Sequence, residues 1–159
     1  MLIGAFMRGF LLVLIPGILA AQTLEISPST TARGKTGSFL IRLNAPSSHG
    51  PASLQWDLVV PRQVTVDVRD VIPGSSAASA EKSIVCIMAT QTRDDTTYRC
   101  VLAGGAQTIL NGAVAVVRYV VPANASPGTV SLRIEKALGA SKDMATIDFP
   151  KVQGQITIR

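Results

Sequence analysis

Cys86 and Cys100 are the residues whose chemistry is best defined by type and spacing, and they are the only cysteines in the chain. Two thiols can form a disulfide, contribute to a metal site or act as reactive groups. An even cysteine count is typical of a disulfide in an exported protein. A zinc site needs more ligands than two cysteines supply, and neither a CxxC motif nor a nearby histidine accompanies them.

The segments around the two cysteines predict a β-hairpin. Residues 83–90 and 97–102 have strand character, and a polar turn lies between them. Arg93 is midway between Cys86 and Cys100 and lies inside this turn, so a symmetric hairpin places the two sulfurs opposite each other. Closing a loop of about 15 residues stabilises a fold by ~3 kcal/mol in the chain-entropy model. The sequence therefore favours a disulfide over the metal site and the reactive thiol.

Little else in the sequence could carry catalysis. His49 is the single histidine and lies in a loop rich in serine, glycine and proline. The chain contains neither a Gly-x-Ser-x-Gly motif nor an HExxH motif. We therefore predict that this chain is not an enzyme.

Four aspartates raise the question of calcium binding. Asp94 and Asp95 are adjacent in the predicted hairpin turn, and Asp143 and Asp148 precede the end of the chain. Carboxylates are the ligands that calcium prefers, but aspartate is also an ordinary turn residue. We predict no metal and no cofactor.

The charge pattern argues against a nucleic-acid partner. The chain has a net charge of +5, and its basic residues are scattered with few aromatic residues between them. Nucleic-acid binding needs a focused basic patch. The pattern is typical of a mildly basic exported domain.

Residues 1–21 have the pattern of a secretory signal peptide. A positive residue is followed by a short apolar run over residues 10–15, a Pro-Gly break and small residues before Gln22. The alternative is a membrane anchor, but the run is shorter than the ~20 residues that span a bilayer. We expect cleavage, a secreted location outside the cell or in the periplasm, and one domain over 22–159 without a membrane span.

Alternating polarity predicts an all-β sandwich of nine strands. In the clearest strand, Leu54, Trp56 and Leu58 alternate with polar residues. Such alternation, with turns roughly every 8–12 residues and no helical period, is typical of a two-sheet sandwich. One helical turn is expected over residues 77–81. The predicted strands cover residues 23–27, 37–43, 53–60, 64–71, 83–90, 97–102, 112–121, 129–136 and 154–158.

The aromatic residues bear on carbohydrate binding. Modules that bind crystalline polysaccharide display a row of Trp and Tyr rings, but this chain has one Trp and two Tyr. Trp56 shares a strand face with leucines, and Tyr98 and Tyr119 lie among apolar strand residues. No aromatic row can be assembled, so a sugar site would depend on hydrogen bonds alone.

Four segments, taken in order, resemble the cohesin family. Residues 54–66 are similar to its alternating strand followed by a bend, and residues 111–121 to its strand that opens on a turn glycine. Residues 125–128 match its Pro-Gly turn, and residues 154–158 match its closing strand. The resemblance implies a nine-stranded jelly-roll β-sandwich, immunoglobulin-like in architecture and related in fold to cellulose-binding modules. It also implies a dockerin-like or other secreted protein partner.

The resemblance and the alternation together define a candidate partner-binding face. In cohesins this face includes the polar side of the third strand, which carries Ser53, Gln55 and Asp57 here. Ser53 and Gln55 replace the Asn/Asp pair that is typical of the family. If the cysteines point inward, the outer side of their hairpin carries Val85, Ile87, Arg99 and Val101. An exposed apolar patch with a polar rim usually marks an interaction surface, unless a loop covers it.

These observations predict a secreted, non-catalytic protein-binding module linked to extracellular polysaccharide degradation or to surface assembly. One alternative is a carbohydrate-binding module of the same fold, with polysaccharide as the partner. Another is a structural envelope-assembly domain that pairs by strand addition at an open sheet edge. Protein binding predicts a flat, mixed sheet face, whereas sugar binding predicts an aromatic row or a polar cleft.

Overall fold

The computed structural model describes residues 21–46 and 48–159, and these residues form eleven strands, one α-helix and one 3₁₀ helix. The strands and the α-helix are, in chain order, β1 (Thr23–Ile26), β2 (Ser29–Thr31), β3 (Thr36–Asn44), β4 (Ser53–Pro61), β5 (Val71–Pro73), α1 (Ser75–Ser79), β6 (Ser83–Gln91), β7 (Asp95–Ala103), β8 (Gly112–Val120), β9 (Gly128–Ala140), β10 (Thr146–Asp148) and β11 (Val152–Ile158). The 3₁₀ helix, Val68–Asp70, leads into β5.

The strands pair into two sheets that enclose one core. The smaller sheet has the order β1-β3-β8-β5, and the larger has the order β2-β11-β9-β4-β7-β6, with β10 also paired to β9. All of these pairings are antiparallel except that of β2 with β11. The predicted all-β jelly-roll sandwich is confirmed.

The core is filled by the inward residues of the alternating strands. Trp56 is completely buried, and Leu54 and Leu58 on the same strand side are buried with it. From the smaller sheet, Phe39 and Tyr119 pack with their ring centroids 5.9 Å apart. Full burial of such side chains stabilises the fold by about 1.5–3 kcal/mol each. The prediction that the aromatic residues serve the core is therefore confirmed for Trp56 and Tyr119.

Eight of the predicted strands are present, but the strand predicted over residues 64–71 is wrong. Val64 and Val66 are buried, as the alternation requires, yet only Thr65 forms a bridge, to Val120. The carbonyl of Val66 accepts a hydrogen bond from the hydroxyl of Tyr98 at 3.0 Å. Apart from the bridge at Thr65, the segment forms no ladder with another described strand until β5 begins.

Strand β9 continues beyond Lys136, its predicted end. A β-bulge at Lys136 interrupts the alternation, so the pattern in the sequence ends there although the strand does not. Lys136 has a φ of 49°, and the register between β4 and β9 shifts beside it. Ile134 and Ala137 are buried, so the two residues between them, Glu135 and Lys136, both lie on the opposite side. The extra residue reverses the parity of the pattern, and the strand then runs on to Ala140.

The predicted signal peptide lies outside the described residues, apart from Ala21. Within the described part of the chain, no helix is both long enough and apolar enough to cross a membrane.

Candidate functional site

All residues predicted for partner binding lie on one surface, the side of the larger sheet that faces away from the core. We call this surface the outer face. Strand register arranges it in rows, and one row crosses β6, β7, β4 and β9 through Val85, Val101, Gln55 and Leu138. The next row crosses the same strands through Ile87, Arg99, Asp57 and Glu135. Ser53 lies at the end of the face, opposite Ala140.

Three side chains of the first row and the neighbouring Ile87 are aliphatic and exposed, and the polar Gln55 lies between Val101 and Leu138. Val85 is 66% exposed, Ile87 58% and Val101 40%, and Leu138 at the far end is exposed to the same degree as Val101. No loop among the described residues covers them. Because exposed aliphatic side chains gain free energy when a partner removes them from water, this area is suited to a protein interface.

The second row centres on a bidentate ion pair. Arg99 Nε donates to Asp57 Oδ1 at 2.7 Å, and Arg99 Nη2 donates to Asp57 Oδ2 at 2.8 Å. Lys136 Nζ lies 3.8 Å from Asp57 Oδ2. The hydrogen bonds from Arg99 hold the pKa of Asp57 below its usual value, against the opposing effect of burial, and Lys136 adds to the lowering. The Asp57 carboxylate is therefore ionised and engaged within the chain.

A second ion-pair cluster borders the first. Arg133 on β9 lies 3.0 Å from Asp95 and 3.4 Å from Glu135, and the bond to Asp95 raises the pKa of the guanidinium. Sequence reasoning missed Arg133 and Glu135, because only the pairing of β9 with β4 brings them to this face. Asp95, considered above as a calcium ligand, is instead paired with an arginine.

The predicted disulfide is present. Cys86 and Cys100 are bonded, with an S–S distance of 2.00 Å, and join β6 to β7 on the inner side of the larger sheet. Register places Cys100 beside the buried Trp56 on β4. The disulfide thus links the two strands that carry Val85, Ile87, Arg99 and Val101. Because both sulfurs are bonded to each other, neither is a free thiol that could bind a metal ion or react.

The other candidate groups do not converge. His49 is exposed, and its Nδ1 lies 2.6 Å from the hydroxyl of Ser48. Among the residues that the structure describes, no three His, Cys, Asp or Glu side chains are grouped so that they could hold a metal ion. The described residues therefore do not form a calcium site around Asp94, Asp143 or Asp148.

A polar cleft of about 430 Å³ lies between α1 and the loop that precedes β8. Its lining supplies hydroxyl, amide and alkyl groups but no charged or aromatic side chain. The lining residues are Ser75, Ser76, Ser79, Ala80, Gln107, Thr108, Leu110 and Asn111. Such a lining can donate and accept hydrogen bonds, but it holds no titratable group for acid–base catalysis.

No family model matches the chain and no curated protein matches its sequence, so its likeness to known proteins is structural. It resembles the OlpA cohesin of Clostridium thermocellum, solved in a type I cohesin–dockerin complex, with a TM-score of 0.71 and 17% identity over 87% of this chain and 99% of that one. It resembles a non-cellulosomal cohesin of the archaeon Archaeoglobus fulgidus, with a TM-score of 0.67 and 14% identity over 88% and 92% of the two chains. It also resembles the third ScaC cohesin of Acetivibrio cellulolyticus, solved with a dockerin, with a TM-score of 0.66 and 19% identity over 86% and 98%. The protein has the cohesin fold.

Proposed function

We propose that this chain is a secreted, non-catalytic protein-binding module that holds its partner on the outer face. The observation that carries the proposal is the exposed aliphatic side chains of Val85, Val101 and Leu138, which share one row of the outer face with Gln55 between the last two. We call this the apolar row, and it lies beside a row that contains paired charges. Exposed apolar area next to polar and charged groups is a common composition of protein–protein interfaces.

The charges on the outer face favour a partner of a particular kind. The second row and its neighbours contain three basic and three acidic side chains, Arg99, Arg133, Lys136, Asp57, Asp95 and Glu135. Because these charges balance, strong electrostatic attraction to a highly charged ligand is not expected. The apolar row therefore supplies the attraction, and the ion pairs fix orientation. Since the similar OlpA and ScaC cohesins were solved with dockerins, a dockerin-like module is the first candidate partner.

Two observations support secretion of the chain. The signal-peptide pattern of residues 1–21 and the disulfide are typical of an exported chain. We place the module in extracellular polysaccharide degradation or in surface assembly. The likeness to both a dockerin-binding and a non-cellulosomal cohesin is compatible with either setting.

The test compares two valine substitutions on opposite sheets. Val101→Lys introduces a charge into the apolar row, and Val120→Lys makes the same change at a similarly exposed valine of β8 on the smaller sheet. Wild-type and variant chains are immobilised and used to capture proteins from the secretions of the source organism. We expect a protein that is captured by the wild type and by Val120→Lys but lost with Val101→Lys. Equal capture by both variants would show that the outer face is not the binding surface.

The polar cleft supports a second candidate function, carbohydrate binding. Its amide and hydroxyl groups, including those of Gln107 and Asn111, match the hydrogen-bonding needs of a sugar. Retention of the chain on cellulose or chitin, lost on Gln107→Ala but kept in Val101→Lys, would favour this function over protein binding. We expect no retention.

A further inference from the structure

Among the described residues, β6 is the last strand of the larger sheet and pairs only with β7, although β5 and the 3₁₀ helix lie close to it. The other strands at the ends of the sheets, β1, β2 and β5, have only three or four residues each. Strand β6 has nine residues and contains no charged residue, proline or glycine. Natural edge strands are usually kept short, charged or interrupted by proline, because an exposed backbone edge pairs with other strands.

The distance between the Cα atoms of the two cysteines shows which backbone N–H and C=O groups of β6 point away from β7. The Cα atoms of Cys86 and Cys100 are 4.1 Å apart, the short spacing of a non-hydrogen-bonded antiparallel pair. Cys86 therefore turns its N–H and C=O away from β7, and so do the alternate residues Ile84 and Met88. A bulge after Met88 ends the straight part of the edge. The open edge thus presents three alternate residues, Ile84, Cys86 and Met88, whose backbone N–H and C=O groups can bond to a further strand. We call them the docking residues.

The side chains along this edge are also open on both sides. Val85 and Ile87 are exposed on the outer face, and Met88, on the opposite side of the strand, is 55% exposed. The inward direction expected for Met88 does not bury it, because β6 is the last strand of its sheet. Apolar side chains on both sides of an unpaired strand give a second strand something to pack against as well as a backbone to bond.

We propose that a second copy of this chain pairs its own β6 with this edge, antiparallel, with Cys86 opposite Cys86 of the second copy. In this register Val85 faces Ile87 of the second copy, and Ile84 faces Met88 of the second copy. The three docking residues of each copy exchange about six backbone hydrogen bonds. All of the paired residues precede the bulge, so the straight segment is used in full.

The charges favour a second copy over a foreign strand. Self-pairing brings no like charges together, because residues 83–91 carry none. Lys82, the nearest basic residue, directs its amine to the carbonyl groups of Gly104 and Gly105 within its own chain. A strongly charged foreign strand would find no opposite charge here, whereas the two-fold register matches apolar residues with apolar residues at each position.

Pairing of the two edges would join the larger sheets of both copies into one. Val85 and Ile87 of the second copy belong to its own outer face, so the two outer faces come to lie side by side on one surface. The dimer would then present two partner-binding faces in the same direction. Dimerisation itself does not depend on the proposed function, since it uses only the edge of β6.

The experiment measures self-association of the purified chain by sedimentation velocity over a wide concentration range. We expect a monomer–dimer equilibrium that Met88→Lys weakens about tenfold or more, because it sets a lysine against Ile84 of the second copy. Met144→Lys is the matched control, since Met144 is also exposed but lies in the loop before β10. It should leave the equilibrium unchanged. Because Met88 is outside the outer face, Met88→Lys should still bind the partner, so the two proposals fail separately.

Amide hydrogen exchange tests the register. The amides of Ile84 and Met88 should become protected as the concentration rises, whereas those of Val85 and Ile87, which bond to β7, should be protected at all concentrations. Three results would each overturn the proposal: a chain that stays monomeric throughout, a dimer that Met88→Lys leaves intact, or protection of the Ile84 and Met88 amides that does not rise with concentration.

Discussion

Asp57 and Arg99 face each other on β4 and β7 and form a bidentate ion pair on the outer face, with Nε–Oδ1 and Nη2–Oδ2 distances of 2.7 and 2.8 Å. Asp57 is only 4% exposed, while the Arg99 side chain remains partly open to solvent. The pair therefore fixes the register of two neighbouring strands and leaves a cationic group at the surface. Asp57 thus orients the Arg99 guanidinium on this face and exposes little surface of its own.

Removal of the Asp57 charge should destabilise the fold. Asp57→Asn leaves Arg99 and Lys136 without their shared carboxylate, and we expect a loss of about 1–2 kcal/mol, below the figure for a fully buried pair because Arg99 is partly exposed. Denaturant unfolding measures the change. Asp143→Asn, at an exposed loop position, is the control for loss of one negative charge and should have little effect. Equal stability of the two variants would contradict this role for Asp57.

The same ion pair should make stability depend on pH in the acid range. The pKa of Asp57 is held below its ordinary value of 3.8 by the hydrogen bonds from Arg99. A depressed pKa in the folded state contributes stability above the unfolded pKa, and this contribution is lost as the pH falls through the folded pKa. Thermal unfolding of the wild type and Asp57→Asn should therefore differ at pH values above about 4 and converge below it. A difference that does not shrink on acidification would argue against the assignment.

Loss of the disulfide should weaken the sandwich without changing its topology. The variant Cys86→Ala/Cys100→Ala removes the link between β6 and β7, and we expect a loss of about 3 kcal/mol. Reduction of one disulfide to two thiols takes up two electrons and two protons, so the intact mass of the purified chain should increase by the mass of two hydrogen atoms on addition of reductant. Free thiols in the unreduced chain would be inconsistent with the structure.

The indole of Trp56 should contribute through packing rather than hydrogen bonding. The side chain is fully buried, and its Nε1 has no hydrogen-bond partner among residues 21–46 and 48–159. Trp56→Ala should cost about 3–5 kcal/mol, whereas Trp56→Phe should cost much less, because it removes an unsatisfied polar group along with some volume. Denaturant unfolding distinguishes the two. Similar losses for both variants would contradict the expected small cost of Trp56→Phe.

Much of the sandwich follows from local pattern alone. The alternation around Trp56 predicts β4 and the direction of its side chains, and the symmetric spacing of Cys86 and Cys100 about Arg93 predicts the β6–β7 hairpin and its disulfide. Both signals are contained within neighbouring residues. The side-chain directions of these strands then suffice to place the candidate residues of the outer face on one side.

The features that the sequence did not reveal depend on non-local pairing. The bulge at Lys136 is defined by the register of β9 against β4, so the alternation ends there without any local sign that the strand continues. The ion pair of Arg133 with Asp95 joins residues 38 positions apart. Residues 64–71 alternate as a strand would, but whether a partner strand exists depends on the rest of the fold. Strands of three residues, such as β10, are too short for a period to be seen.

Methyl NMR of the chain, free and bound to the captured partner, tests the central claim most directly. If the outer face is the binding surface, the methyl signals of Val85, Ile87, Val101 and Leu138 should change on binding, while those of Val120 and Ile72 on the smaller sheet should stay in place. Changes confined to the smaller sheet, or to Leu110 in the polar cleft, would contradict the account.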